Sequence, residues 1–299
     1  MAERGSGGDA EAMTGDVIPP ADRRHPFVEV DVFATRAFSG NPLAVVLNAD
    51  GLSTDEMQRL ANWTNFSETT FLLSPTDPGA DYRARIFTPA EELPFAGHPT
   101  LGSAHAWLQA GGGHDGDSVV QECGAGLVTV RRSADGELAF AAPPLLRDGP
   151  ADEDLRKELA AVLGIERSAI RDARWIDNGP GWVGVLLGSA QEVLDIRPGF
   201  TEQKIGVVGP YPPGSPYAVE VRAFFAAGGE SVTEDPVTGS LNAGVAQWLL
   251  GTGHLTAPYV AHQGTVLGRD GQVRIDQDPD GTIWVGGAAV TRVRGEITV

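Results

Sequence analysis

The sequence predicts an α+β protein built from two similar halves, and three observations carry that prediction. Arg85-x-Phe87 followed by His98-Pro99-x-x-Gly102-Ser103 matches Arg222-x-Phe224 followed by Asp235-Pro236-x-x-Gly239-Ser240 without a gap; 235 less 98 and 222 less 85 both give 137. Short runs alternate apolar and polar side chains, as half-buried strands do: Val28, Val30 and Val32 share one face, and Val219, Val221, Ala223 and Phe225 share another. The segments 100–109 and 241–250 follow the two proline dipeptides and are long enough for helices of nearly three turns. A repeat of this length reads as two domains whose helix starts converge on one cleft.

Taken in order, residues 27–33 form a first strand, Ser39-Gly40-Asn41-Pro42 a turn, and 43–47 a second, fully apolar strand. Ser53 or Thr54 caps a helix over 54–63 that places Met57, Leu60 and Ala61 on one face. Ser67-Glu68-Thr69 leads into the apolar run 70–73, and 82–87 alternates again. The loop 88–97 delivers His98. The helix after it is rich in small residues (Gly102, Ser103, Ala104, Ala106), which suits close packing inside a curved sheet. Strands follow at 118–122, 127–131 and 138–141, and the prolines of 143–150 mark a linker.

The second half repeats the order: a helix over 152–163, then Asn178-Gly179-Pro180 and the run 182–187. The proline-rich segment 197–215 reads as a long surface loop. In Asp235-Pro236 the spacing predicts a helix start, with Asp235 as N-cap and Pro236 at the first helical position. Short strands are expected near 259–261, 273–275 and 283–285, and 292–299 closes a sheet.

The composition bounds the rest. The 299 residues suffice for two domains, and a net charge of −18 argues against nucleic acid and anionic membranes, whose phosphates would repel the chain. No apolar run approaches the ~18 residues a membrane span requires. Residues 1–25 are rich in Gly, Ala and Asp and are expected to be a disordered extension without a signal peptide; Met13 offers an alternative start. One cysteine excludes an internal disulfide framework and fits a reducing cytoplasm. It also excludes a racemase working with two thiols, and Cys123 itself reads as a buried strand cysteine. His105, His114, His254 and His262 lack metal-ligand spacing, and no Gly-rich nucleotide signature follows the first strand, so neither metal nor nucleotide cofactor is expected.

Three residues remain for chemistry. Glu68 is either an exposed strand-end carboxylate or a proton carrier. His98 and Asp235, at the matching positions of the repeat, form a polar pair across a cleft, although Asp235 also fits a plain helix cap. Free N–H groups at a helix start favour an anion there.

Asp31-Val32-Phe33 with Gly40-Asn41-Pro42, Asn65-x-Ser67-Glu68-Thr69, Phe95-Ala96-Gly97-His98-Pro99-Thr100, Glu234-Asp235-Pro236-Val237-Thr238-Gly239-Ser240, and Gln263-Gly264 with Gly268-Arg269 occur in this order. Together they resemble the PhzF-like isomerases of phenazine biosynthesis, over roughly residues 27–299. The resemblance implies a diaminopimelate-epimerase-type fold: two similar domains (26–143 and 144–299), each a curved, mostly antiparallel, barrel-like sheet around a central helix, with the active-site cleft between them. The last strand, about 291–299, is expected to return to the N-terminal domain. The resemblance also implies a homodimer and no cofactor. It implies that Glu68 moves a proton between two carbons of a small carboxylate of the trans-2,3-dihydro-3-hydroxyanthranilate type, for antibiotic or other secondary metabolism. By the same resemblance His98 and Asp235 hold and polarise the substrate, and Gly97, Gly239 and Ser240 contact it. The chain departs from the family pattern at Ala226-Ala227, Asn242 and Asp270. The alternatives are an isomerase or epimerase acting on another natural-product intermediate, and a non-catalytic ligand-binding or regulatory protein on the same scaffold.

Overall fold

The computed structural model describes residues 23–113, 116–133, 136–226 and 232–299. Most of the expected extension and the Gly228-Gly229 turn lie outside the described residues. The end of the expected extension is strand instead: Arg24 and His25 pair with Thr298 and Ile297.

The elements of the first half are β1 (Arg24–Val32), β2 (Asn41–Val46), α1 (Thr54–Thr64), β3 (Thr69–Leu73), β4 (Tyr82–Phe87), β5 (Glu92–Leu93), α2 (Gly97–Gln109), β6 (Ser118–Cys123), β7 (Gly126–Arg132) and β8 (Leu138–Ala141). The second half holds β9 (Arg147–Pro150), α3 (Glu153–Leu163), β10 (Asp172–Asp177), β11 (Trp182–Leu186), α4 (Ala190–Asp195), β12 (Lys204–Pro210), β13 (Val219–Ala226) and β14 (Val232–Asp235). It ends with α5 (Gly239–Gly251), β15 (Tyr259–Gln263), β16 (Gly271–Gln277), β17 (Ile283–Gly287) and β18 (Ala289–Thr298). The protein is mostly sheet with few helices.

All these strands join one sheet. In the first half β1 pairs β2, β2 lies parallel to β3, β3 pairs β4, β4 lies parallel to β6, and β7 and β8 follow. The second half has the same sequence of pairings from β10 to β17, with β11 parallel to β12 and β13 parallel to β15. Parallel neighbours need a crossover, and here α1, α2, α4 and α5 supply the four. The halves meet where β8 pairs β17, where β18 pairs β1 along its length, and where β9 pairs β10.

The apolar core is in three parts. The largest spans both halves and includes Val30, Leu43, Leu101, Phe140, Val221, Leu241 and Trp248; the others lie under α1 and under α3 and α4. The small residues of α2 and α5 have a steric reason. A Cβ on Gly102 would come within 2.4 Å of Leu43, and one on Gly244 within 2.5 Å of the Ile176 carbonyl. The helices therefore lie against strand backbone at a spacing that larger side chains forbid.

Four expectations need correction. The gap-free repeat holds for β4 and β13 but not for the helix starts: Val219 less Tyr82 is 137, whereas Gly239 less Gly97 is 142. Five extra residues therefore precede α5, and the helix position matching His98 is Ser240, not Asp235. Asp235 does not cap α5. It ends β14, Pro236 is outside the helix, and the N-cap is Thr238, without a side-chain cap bond. Proline favours an extended residue before it, which suits a strand end as well as a helix cap. Finally, 197–215 is not a loop throughout, because β12 runs through it between β11 and β13. Its core, Ile205 to Val208, is fully buried on both faces and shows no alternation, and the flanking prolines disguise it. Similarly, α3 leads into β10 rather than into Trp182; the short helix α4 occupies the crossover corresponding to α1.

Candidate active site

Local structure brings Glu68 beside His98. α1 carries a capping box from Ser53 and Glu56 and ends at Asn65 in the left-handed conformation, φ 55°, which Asn tolerates better than most residues. Thr64 Oγ1 and Thr69 Oγ1 then hydrogen-bond at 2.9 Å, tying the helix end to the start of β3. Glu68 sits on the bend between them, its side chain 15 % exposed.

His98 is the second residue of α2 and is buried. Its Nε2 lies 3.7 Å from Glu68 Oε2, too far for a hydrogen bond, and neither atom has a partner among the described residues. On the other side of the ring, Nδ1 is 3.4 Å from Asn41 Nδ2. That amide nitrogen is a donor, so the neutral imidazole carries its proton on Nε2, facing Glu68. Burial pushes the His98 pKa down to about 3, which keeps the ring neutral.

Asp235 reaches the same place from the second half. It accepts from Asn41 Nδ2 at 2.9 Å and from Thr238 Oγ1 at 2.5 Å. Burial raises its pKa to about 6, against the hydrogen bonds of Thr238, Asn41 and Ser67, which favour the carboxylate. Burial first, and the Asp235 charge second, push Glu68 well above the ordinary carboxylate range. The three side chains selected from sequence therefore meet, two carboxylates and an imidazole, in a water-poor setting where burial favours the uncharged form of each.

Gly97 and Gly239 open α2 and α5, and they abut. A Cβ on Gly97 would lie 2.7 Å from the Gly239 backbone, and one on Gly239 would lie 2.9 Å from Gly97. No side chain fits between the two helix starts. Ser240 Oγ accepts from Trp182 Nε1 at 3.0 Å, and its carbonyl accepts from Asn178 Nδ2 at 2.8 Å.

Sequence reasoning gave no site role to three groups that organise these residues. Asn41 was read as part of a turn and of a family motif without a role of its own, yet its Nδ2 donates both to Asp235 and to the Val237 carbonyl at 3.0 Å, crossing from one half to the other. Gln263 Oε1 accepts from Thr238 N at 3.0 Å and from Asn242 Nδ2 at 2.9 Å, while its Nε2 donates to Thr238 Oγ1 at 2.9 Å. The departure at Asn242 is thereby accommodated. The third is Lys204, whose charge opposes the rise at Glu68. Among the described residues no group of three His, Cys, Asp or Glu side chains is placed to hold a metal, and no helix is long and apolar enough to cross a membrane.

The comparisons place the chain among enzymes of the isomerase class. The chain is a member of the phenazine biosynthesis-like family, whose model matches residues 30–295. It is 37 % identical to the antisense-enhancing sequence 1 protein of Schizosaccharomyces pombe, over 91 % of this chain and 98 % of that one. It is 34 % identical to the trans-2,3-dihydro-3-hydroxyanthranilate isomerase of Pseudomonas fluorescens, over 82 % of this chain and 87 % of the relative. Among solved structures, the PhzF-family phenazine biosynthesis protein of Bacillus anthracis superposes with a TM-score of 0.75 at 24 % identity, over 93 % of this chain and 100 % of the other.

Proposed function

We propose that this isomerase moves a proton between two carbons of a small cyclic carboxylate, with Glu68 as both acid and base. The observation that carries this reading is the buried, unpartnered pair Glu68 Oε2 and His98 Nε2, 3.7 Å apart. Buried polar atoms without partners are rare, and two that face each other across a cleft suit a ligand that bonds to both. Ionised Glu68 takes the proton from carbon, and protonated Glu68 returns it to another carbon. A pKa lifted by burial lets one carboxylate serve both steps near neutral pH. His98, neutral and with hydrogen on Nε2, donates to a substrate heteroatom and cannot itself take over as a cation. Asp235 accepts from a substrate N–H or O–H. The backbone N–H groups around Gly97, Gly239 and Ser240 hold negative charge at the two helix starts.

The substrate we infer is trans-2,3-dihydro-3-hydroxyanthranilate or a close relative, because a relative covered over most of both chains carries that name. Supporting the rest of the reading, the recurring pairing order fits an internal duplication, with domains at 26–143 and 144–299 around α2 and α5 and the cleft between them. A homodimer, a cytoplasmic setting and chemistry without a cofactor complete the proposal. The test is turnover of trans-2,3-dihydro-3-hydroxyanthranilate in deuterium oxide, followed by NMR. Deuterium should enter the product at carbon; a wild-type protein that neither converts this compound nor exchanges its carbon-bound hydrogen removes this substrate from consideration.

A further inference from the structure

We propose that Lys204 determines specificity at this site by taking the substrate's carboxylate on its ammonium, from the position in the second half that Glu68 holds in the first. The proposal rests on the reading above and extends it to the substrate's charge.

The strand register establishes the correspondence. Thr69 faces Phe87 across β3 and β4, and Ile205 faces Phe224 across β12 and β13. Phe87 and Phe224 are themselves matching residues, 224 less 87 being the 137 of the strand repeat. One residue before each of these stand Glu68, just ahead of β3, and Lys204, the first residue of β12. The two occupy corresponding positions, one an acid and the other a base.

Two observations place Lys204 beside α5. Gly206, two residues along and so on the same face, lies against Leu241 of α5, where a Cβ would meet Leu241 Cδ1 at 2.1 Å. Trp182 is the register neighbour of Lys204 in the parallel pair, and its indole N–H donates to Ser240 in the first turn of α5. The half-buried lysine thus lines the end of the cleft where that helix begins.

Charge explains what it does there. Glu234 is paired with Arg222 at 2.7 Å, so that cation is already neutralised. Glu68 and Asp235 are acidic, His98 is neutral, and no described residue hydrogen-bonds or ion-pairs with the Lys204 side chain. In a chain of net charge −18 with only two lysines, an incoming anion is repelled overall and needs a local cation. The other lysine, Lys157, is exposed on α3 beside Asp154. Lys204 also holds the Glu68 pKa down against burial. A carboxylate that neutralises Lys204 releases that hold, so substrate binding itself raises the proton affinity of the acid/base.

The test is calorimetric binding of anthranilate and of anthranilamide, which differ only in the charged carboxylate, to the full chain. Wild type should prefer the acid by roughly tenfold or more, Lys204→Met should abolish the preference, and Lys204→Arg should retain it. A thermal melt of each variant reports that the fold is kept. A preference unchanged in Lys204→Met, no preference in wild type, or no binding of either compound overturns the proposal. Deuterium incorporation from trans-2,3-dihydro-3-hydroxyanthranilate on the same preparations separates the two readings. Without incorporation the substrate assignment falls, whereas an acid preference lost in Lys204→Met still upholds the role of Lys204.

Discussion

Glu68 Oε2 and His98 Nε2 face each other at 3.7 Å without an intervening protein group, yet they are not an ion pair. Burial depresses the imidazole to about 3 and lifts the carboxyl, so the site stores two displaced proton affinities rather than one salt bridge. Such a pair contributes little to stability and leaves both atoms open to a ligand.

Glu68→Gln keeps the size and hydrogen-bonding shape of the side chain but cannot accept a proton. Turnover should fall by roughly 10²–10⁴-fold or more while binding survives. Steady-state rates, together with calorimetric titration of the same variant, check this. A Glu68→Gln protein that still turns over at near wild-type rate would transfer the role to another group.

The pH dependence of stability should carry a signature of His98. Its pKa is about 3 in the fold, against an ordinary 6.5, so the unfolded chain takes up the proton first as the pH falls. Its contribution is therefore complete above pH 6.5 and is lost progressively toward pH 3. Asp235 has the opposite sign: with a folded pKa of about 6 against 3.8, it favours the fold more as the pH falls through that window. Urea midpoints of wild type and His98→Gln between pH 4 and 8 separate the two, since the Asp235 contribution is common to both proteins. The variant should gain on wild type as the solution is acidified. A difference that is constant with pH contradicts the depressed histidine.

Asn41→Ala removes the donor that ties the first half to Asp235 and to the Val237 carbonyl. Two buried acceptors lose their partner, which should cost about 1–3 kcal/mol in a chemical denaturation experiment. Because the Asn41 bond favours the Asp235 carboxylate, the Asp235 pKa should rise further above about 6, observable by NMR titration.

Gly97→Ala and Gly239→Ala each put a methyl group within 3 Å of the facing backbone. Each should destabilise by about 1–3 kcal/mol, as overpacking does. The two changes act on one contact, so the double variant should depart from the sum of the singles, which denaturant midpoints of all four proteins will report.

The strand pattern, the small-residue helices and the candidacy of Glu68, His98 and Asp235 were legible because each leaves a local trace. Alternation marks a half-buried strand, glycine and alanine mark a close helix contact, and a short acidic or imidazole motif stands out beside a turn. β12 left no such trace, since a strand buried on both faces has no alternation to read and prolines bound it. Asn41 and Gln263 were equally silent, as an amide in a turn or at a strand end resembles any other until its partner 196 or 25 residues away is known.

By itself, the sequence supplied the candidate side chains and the strand periodicity, because residue type and periodicity are properties of the chain. The tertiary structure alone decided how the two halves register. Five extra residues before α5 move Asp235 off the helix start and onto the end of β14, where Asn41 can reach it across the molecule. It alone decided the protonation states as well, because burial and the Asp235 charge that lift Glu68, and the burial that depresses His98, exist only once distant strands and both helix starts have closed around them.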